Sequence, residues 1–389
     1  MNIDSLEKRS CCSCGSCALA CPKHCISMED DGYGFRFPSV DNTICVKCGI
    51  CINKCPLNKT KETDNNEFPL CYAANSINDQ IRQNSSSGGI FSLLAENILS
   101  NEGRIYGAAF DDNNEVRHIC VKDSSNLNKL RKSKYVQSDL RTFYQDVKSD
   151  LNNGIKVFFT GTPCQVAGLY SYLGKRPENL LTADTVCMGV PSPQIFRQYI
   201  REIENKYNSK VVTVDFRNKA SGWLGYKICL TFSNGSVYLN NRKQDDYMLA
   251  FSNRYSLRMS CYHCQFKSIH HLADITLGDF WGIENVCPEM FDDKGTSLIL
   301  LHSEKGCEAF NNILPYIKTQ RVDIQTIKNC NPMLIQSAEQ PTDRTEFLKY
   351  CKEKSLHKAV SKYILPSLTI RFWDKIRHSI HKIKKIIIK

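Results

Sequence analysis

No stretch of about 18 apolar residues occurs in this chain of 389 residues, so no membrane-spanning helix is expected. Met1–Ser10 is polar and has no apolar core segment, which argues against a secretory signal. There is no G-x-G-x-x-G, so a Rossmann nicotinamide site is not indicated. A Walker A run and the C-x3-C-x2-C run of radical enzymes are also missing. Net positive charge is small outside the C-terminal end. The formal charge is +11, but residues 356–389 carry nine basic side chains and one acid, Asp374, leaving only +3 for the rest. A general nucleic-acid-binding surface therefore finds no support, and no nucleic-acid partner is expected.

What the chain has in quantity is cysteine: 21 residues. Cys11, Cys14, Cys17 and Cys21, followed by Pro22, read C-x2-C-x2-C-x3-C-P. Cys45, Cys48, Cys51 and Cys55, followed by Pro56, repeat the spacing. This is the ligand pattern of bacterial ferredoxins with two [4Fe-4S] clusters, in which the fourth cysteine of each run serves the other cluster. By that rule Cys11, Cys14, Cys17 and Cys55 hold one cluster, and Cys45, Cys48, Cys51 and Cys21 the other. Zinc, which usually takes paired C-x2-C ligands, and disulfides are the alternatives. So many cysteines without a signal point to a reducing, cytoplasmic compartment.

With 42% hydrophobic and 23% charged residues, the chain has an ordinary composition and room for two or three domains. Residues 1–56 form the ferredoxin-like domain, with Gly32, Gly34 and the alternating Tyr33, Phe35 and Phe37 marking a hairpin between the motifs. Residues 57–69 are polar and read as a linker. Residues 70–350 form the larger domain. Strands are expected at Tyr72–Ala74, Ile105–Phe110, Ile155–Thr160, Thr182–Val186, Ala273–Leu277 and Leu298–His302. Helices are expected at Ile90–Leu99, from Cys164 to about Leu173 with Gly174 as the stop, and at Pro193–Tyr207. Tyr226–Phe232 and Ser236–Leu239 flank Ser233-Asn234-Gly235, a hairpin signal. The fold class is α+β: a bacterial-ferredoxin-like domain, a larger mixed α/β domain and a basic C-terminal helix.

A second cysteine set is less regular. Cys261 and Cys264 form a C-x2-C pair, Cys164 stands at a strand-to-helix turn, and Cys187 follows a strand. They could converge on a third cluster. A zinc site using Cys261, Cys264 and His270 or His271, or plain buried thiols, explain the same residues. Ser85-Ser86-Ser87-Gly88-Gly89 precedes a helix and suits a phosphate or pyrophosphate, though a serine N-cap explains it equally. Gly161-Thr162-Pro163 makes a tight turn at a strand end, where open α/β sheets tend to bind ligands.

Ser85–Gly89, Gly107-Ala108-Ala109-Phe110, Lys134-Tyr135-Val136-Gln137-Ser138, Gly161-Thr162-Pro163-Cys164-Gln165 and Gly278-Asp279-Phe280-Trp281-Gly282 occur in this order. With the ferredoxin-like module and Cys261/Cys264, residues 1–300 resemble the beta subunit of the coenzyme F-420-reducing hydrogenase and dehydrogenase family. The resemblance implies a flavoprotein oxidoreductase. FAD would use Ser86, Ser87, Gly88, Gly89, Tyr135, Gln137, Ser138, Gly161, Thr162 and Gln165. Cys164, Cys187, Cys261 and Cys264 would hold a third cluster. Met188 stands where members often have histidine, and nothing identifies a deazaflavin pocket.

The expected function is transfer of electrons from ferredoxin or another redox partner, through [4Fe-4S] clusters and FAD, to a small-molecule two-electron acceptor. Relatives beside polysaccharide-building enzymes make a role in that chemistry one expectation. Alternatives are an electron-transfer subunit without its own substrate, a coenzyme F-420 reductase subunit, and a structural protein of a membrane-associated glycan-synthesis complex. His263, His270 and His271 could assist proton movement, or be surface and cluster-shell histidines. Asp279 and Trp281 could line the flavin cavity or pack a turn. No catalytic acid or base is assigned. Residues 356–389 form a basic tail in which Trp373, Ile376, Ile380, Ile383 and Ile387 share one helical face. Contact with the inner membrane face, or docking on the body or a partner, follows from that pattern.

Overall fold

The computed structural model describes residues 1–58, 69–140 and 142–365; most of the expected linker, and the apolar stripe of the tail, lie outside them. The N-terminal part contains α1 (Ser16–Leu19), the strands β1 (Ile26–Asp30) and β2 (Arg36–Val40), and α2 (Ile50–Asn53). Next come β3 (Leu70–Ser76), α3 (Asp79–Gln83), α4 (Ile90–Leu99), β4 (Arg104–Phe110), β5 (Val116–Val121) and α5 (Phe143–Asn152). Then follow β6 (Val157–Thr160), α6 (Pro163–Leu173), β7 (Leu180–Thr185), α7 (Pro193–Tyr207) and β8 (Val211–Asn218). After these are β9 (Lys227–Phe232), β10 (Val237–Asn241), α8 (Asp246–Ser252), β11 (Ile275–Asp279) and α9 (Ile283–Val286). The last are β12 (Ser297–Leu301), α10 (Glu304–Asn311), β13 (Ile317–Arg321), α11 (Ile324–Cys330), α12 (Arg344–Glu353) and α13 (Leu356–Tyr363).

The fold is mixed α+β. Its centre is an eight-stranded sheet of order β13-β3-β12-β11-β7-β6-β4-β5. β4, β6, β7 and β11 run parallel. β12 is antiparallel to β11, and β3 to β12, so β3 points the same way as that parallel group. Strands buried on both faces read as continuous apolar runs, because alternate residues enter different cores. Phe158, Ile299 and Ala74 pack with α4 and α10 on one face. Val157 and Phe159 pack under α5 and α6, while Leu298, Leu300 and Ala73 pack around Trp223 and Phe280. β6 starts at Val157 and not at Ile155, because the Ile155 N–H turns back to Asp150 O at the end of α5.

The smaller sheet β10-β9-β8 packs with α7, α8, α12 and α13 around Phe196, Phe216 and Tyr247. Leu356, Ala359 and Val360 are buried in that core, so the described start of the basic segment is part of the body.

The N-terminal module is seated on the main body through α6. Ser16, fully buried, donates from Oγ to Gly168 O at 2.5 Å. Lys54 Nζ donates to Tyr172 O at 2.9 Å, and Ser171 Oγ to Lys54 O at 2.9 Å. Glycine is required at 168: a Cβ there would stand 2.6 Å from Cys14 Cβ and 2.7 Å from the Tyr144 hydroxyl. No helix of the described residues is long and apolar enough to cross a membrane.

Candidate metal and cofactor sites

The repeated cysteine spacing produces a repeated local geometry. Gly15 (φ 78°) and Gly49 (φ 76°) adopt the left-handed conformation that glycine tolerates, and each starts a one-turn helix. Cys17 and Cys51 sit inside those helices and are buried. Cys21 and Cys55 follow, turned back by the next proline.

Three cavities among the described residues are lined by thiols. The first, of about 350 Å³, is bounded by Cys11, Cys14, Cys17 and Cys55, with Cys12 at its edge. The second, of about 20 Å³, is bounded by Cys21, Cys45, Cys48 and Cys51, together with Cys25. Cys25 Sγ lies 3.4 Å from Cys21 Sγ. The third, of about 40 Å³, is bounded by Cys164, Cys187, Cys261 and Cys264, again with Cys12. The structure thus brings each expected set of four cysteines to one void and adds Cys12 and Cys25. Among the described residues, no three His, Cys, Asp or Glu side chains gather closely enough to hold one metal ion. The thiols surround voids instead of converging on points.

Electrostatics group the same side chains. Burial pushes the Cys17 thiol up to about 12, and negative charge on Cys11 and Cys55 adds to the effect. Burial likewise raises Cys187 to about 12, with Cys164 and Cys264 pushing the same way and the Lys267 ammonium opposing. Cys261 is raised by burial and by Cys187. A metal guest at Cys17, Cys187 and Cys261 would therefore displace thiol protons. Arg258, fully buried, ties the module to the third cavity: Nε donates to Cys11 O (2.7 Å) and Nη2 to Arg36 O (2.9 Å).

The segments expected to hold FAD lie along one edge of the sheet. Ser85–Gly89 follows β3 and α3, Gly161–Gln165 follows β6, and Asp279 ends β11, all at carboxyl ends of strands that point the same way. Residues 133–138 run between them. Ser133 N–H donates to Ser86 Oγ (2.8 Å) at one end. At the other, Ser138 Oγ pairs with His118 Nδ1 (2.7 Å), whose Nε2 faces Thr160 O (3.0 Å). Burial lowers His118 to about 4. Gln137 Nε2 donates to Cys12 O (3.3 Å), placing this segment beside the third thiol set.

Several groups of the flavin expectation serve internal contacts. Gly88 N–H donates to Ser297 Oγ (3.0 Å) and Ser87 Oγ to Thr296 O (2.8 Å). Gln165 Oε1 accepts from Thr162 N–H in a capping box that starts α6. Around Ser86, however, basic groups accumulate. Arg217, with its side chain 1% exposed, pairs with Asp279 at 2.8 Å and reaches Ser86 O and the Tyr135 hydroxyl at 3.4 Å. Trp223 Nε1 also donates to Asp279 (2.9 Å), and its ring stacks on Trp281 with centroids 4.9 Å apart. Lys132 pairs with Asp215 (2.6 Å). Lys134 and Lys219 are held by backbone carbonyls: Lys134 by Arg131 O, Lys219 by Arg82, Ser87 and Lys294 O. Burial draws both down to about 7.

Sequence reading missed Cys12, Cys25, Arg217 and Arg258. Cys12 adjoins Cys11 in the motif, so a doubled cysteine was a visible signal. Arg217 and Asp279 are 62 residues apart, and no spacing rule joins them.

The architecture is α+β, with thiol-lined voids in the N-terminal module and at the carboxyl edge of a mixed sheet. Residues 154–328 match the family model for the C-terminal part of the coenzyme F420 hydrogenase/dehydrogenase beta subunit. No curated protein matches the chain. Among solved structures it is similar to a chain of the xenon-derivatised F420-reducing [NiFe] hydrogenase complex from Methanosarcina barkeri, with 17% identity and a TM-score of 0.47. That likeness covers 76% of this chain and 91% of the other.

Proposed function

We propose that this chain is an iron–sulfur flavoprotein oxidoreductase subunit that carries electrons singly through three [4Fe-4S] sites to FAD and a small-molecule acceptor. The observation that carries the reading is the succession of thiol voids. Cys17, Cys51 and Cys55 act electrostatically on one another between the first two, and Cys12 borders both the first and the third. Voids edged by four or more thiols, without a point where three donors meet, suit a multi-iron guest better than one zinc ion.

The residues also fit the flavin. Lys134 and Lys219 are held by carbonyl oxygens, and the Arg217 Nε is buried without a hydrogen-bond partner. A diphosphate beside them would keep both lysines charged and accept from these donors. When bound, clusters supply one-electron transfer and the flavin converts it to two-electron chemistry. This chain's part is placement. Cys48 is exposed at the outer site, amid the exposed Ile44, Val46 and Ile50, where a ferredoxin or similar carrier could approach. Cys164 and Cys187 sit at the ends of β6 and β7, next to Gln137 and the strand-end loops. Buried Arg258 fixes the first site against the third.

Anaerobic stopped flow tests the order. Reduced ferredoxin is expected to bleach cluster absorbance and then the flavin band. In Cys187→Ser the clusters of the N-terminal module should still bleach, while the flavin stays oxidised on that time scale. Equal flavin bleaching in both proteins would overturn the reading.

A further inference from the structure

β7 and β11 are parallel neighbours, with Ala183 opposite Ile275 and Asp184 opposite Thr276. The register brings the residues before β11 onto Asp184. His271 Nδ1 lies 2.8 and 2.9 Å from the two Asp184 carboxylate oxygens. The two side chains are 2% and 1% exposed. Thr276 Oγ1 donates to Asp184 Oδ1 (2.6 Å) and faces His302 Nε2 (2.8 Å). The His302 ring stacks on His271 at 5.6 Å, and burial holds it well below the ordinary histidine range. With a carboxylate as its partner, His271 Nδ1 is the donor of this buried contact.

The ring's other edge lines the third thiol cavity, and its Nε2 is buried with no hydrogen-bond partner. The other two basic side chains of that cavity are engaged. Arg258 donates to Cys11 O and Arg36 O, and Lys267 Nζ to Cys187 O and Met333 O. His271 Nε2 is left without a partner beside a void that five cysteines line. A carboxylate on one ring nitrogen fixes the orientation of the other beside a metal site.

We propose that His271, with a proton on each ring nitrogen, donates a hydrogen bond from Nε2 to a sulfur of the cluster in the third cavity, with Asp184 as its positioning residue. The inference rests on the reading of that cavity as a cluster site. Hydrogen bonds to cluster sulfurs favour the reduced form. The innermost cluster is thereby made the better electron acceptor, and charge is drawn inward from the N-terminal module.

The test is pulsed electron-nuclear double resonance on the reduced, full-length holoprotein in H2O and D2O, with a redox titration of the same cluster. Wild type is expected to show an exchangeable proton coupled to the third cluster. His271→Phe, which keeps the stacked ring but has no N–H, should keep its iron and lose that coupling. Its potential should fall by the equivalent of a tenfold change in the reduction equilibrium, about 59 mV for one electron. His271→Gln retains a donor and should recover part of the shift. Asp184→Asn should lower the potential with the iron retained. A twelve-iron wild type without the coupling, or His271→Phe with an unchanged potential, would overturn the inference alone. A strongly coupled nitrogen, marking His271 as an iron ligand, would overturn it too. A wild type with only eight irons would remove the cluster reading and this inference with it.

Discussion

Gly168 is where one hydrogen atom decides how closely two parts of the molecule approach. An added methyl would press on Cys14, whose Sγ stands 3.1 Å from the Cβ position, and on the Tyr144 hydroxyl. Overpacking of this kind costs about 1–3 kcal/mol. Gly168→Ala is expected to lower the unfolding midpoint and to cut iron by about four per chain, the content of one cubane. Calorimetry and iron analysis check it. His118 offers a pH test. Its folded value is lowered to about 4, so the unfolded chain binds the proton first as pH falls. Its contribution is therefore complete above about 6.5, the ordinary histidine value, and is lost between there and about 4. The shift corresponds to about 3 kcal/mol. Denaturant titrations of wild type and His118→Gln should converge by roughly that amount over this window. Parallel curves would contradict the assignment of a buried neutral imidazole.

Among the elements, the strand-end loops carry the flavin proposal. Gly88→Ala would drive a Cβ to 2.4 Å from Ala74 O and 2.8 Å from Ser297 N, both backbone atoms. The loop must then shift, and the flavin bound per chain is expected to drop while the iron of the N-terminal module stays; absorbance and iron assays read both. Asp279→Asn leaves Arg217 buried without its counter-ion, which costs about 3–5 kcal/mol, and thermal unfolding should show it. At this scale the sequence was uneven as a guide. α4 and α7 begin and end at the residues their caps announce: Gly89 before one, Ser192 with a proline at the first position of the other. β13 and α12 carried no such signal, because their place depends on partners far along the chain: β13 pairs with β3, and α12 packs with α7 and α8. Asp279 was legible as part of a motif. Its ion pair with Arg217 was not, because it is a product of strand order.

For the whole molecule, the thiol voids run from an exposed loop to the interior. Cys48 is exposed, the first void lies within the N-terminal module, and the third opens at the ends of β6 and β7. The cysteine grouping of the outer two was readable because ligand spacing is local and repeated. The third was not readable from spacing, since Cys164, Cys187 and the Cys261–Cys264 pair meet only through the sheet. A double replacement, Cys187→Ser with Cys261→Ser, should remove about four irons and leave about eight. Metal analysis with electron paramagnetic resonance would show the N-terminal pair of clusters intact.

Iron, acid-labile sulfide and flavin measured on the chain purified without oxygen bear most directly on the central claim. The account predicts about twelve irons, about twelve sulfides and one FAD per polypeptide, four iron and four sulfide for each cubane. A colourless protein, with zinc or no metal at Cys11–Cys21 and Cys45–Cys55, would contradict it.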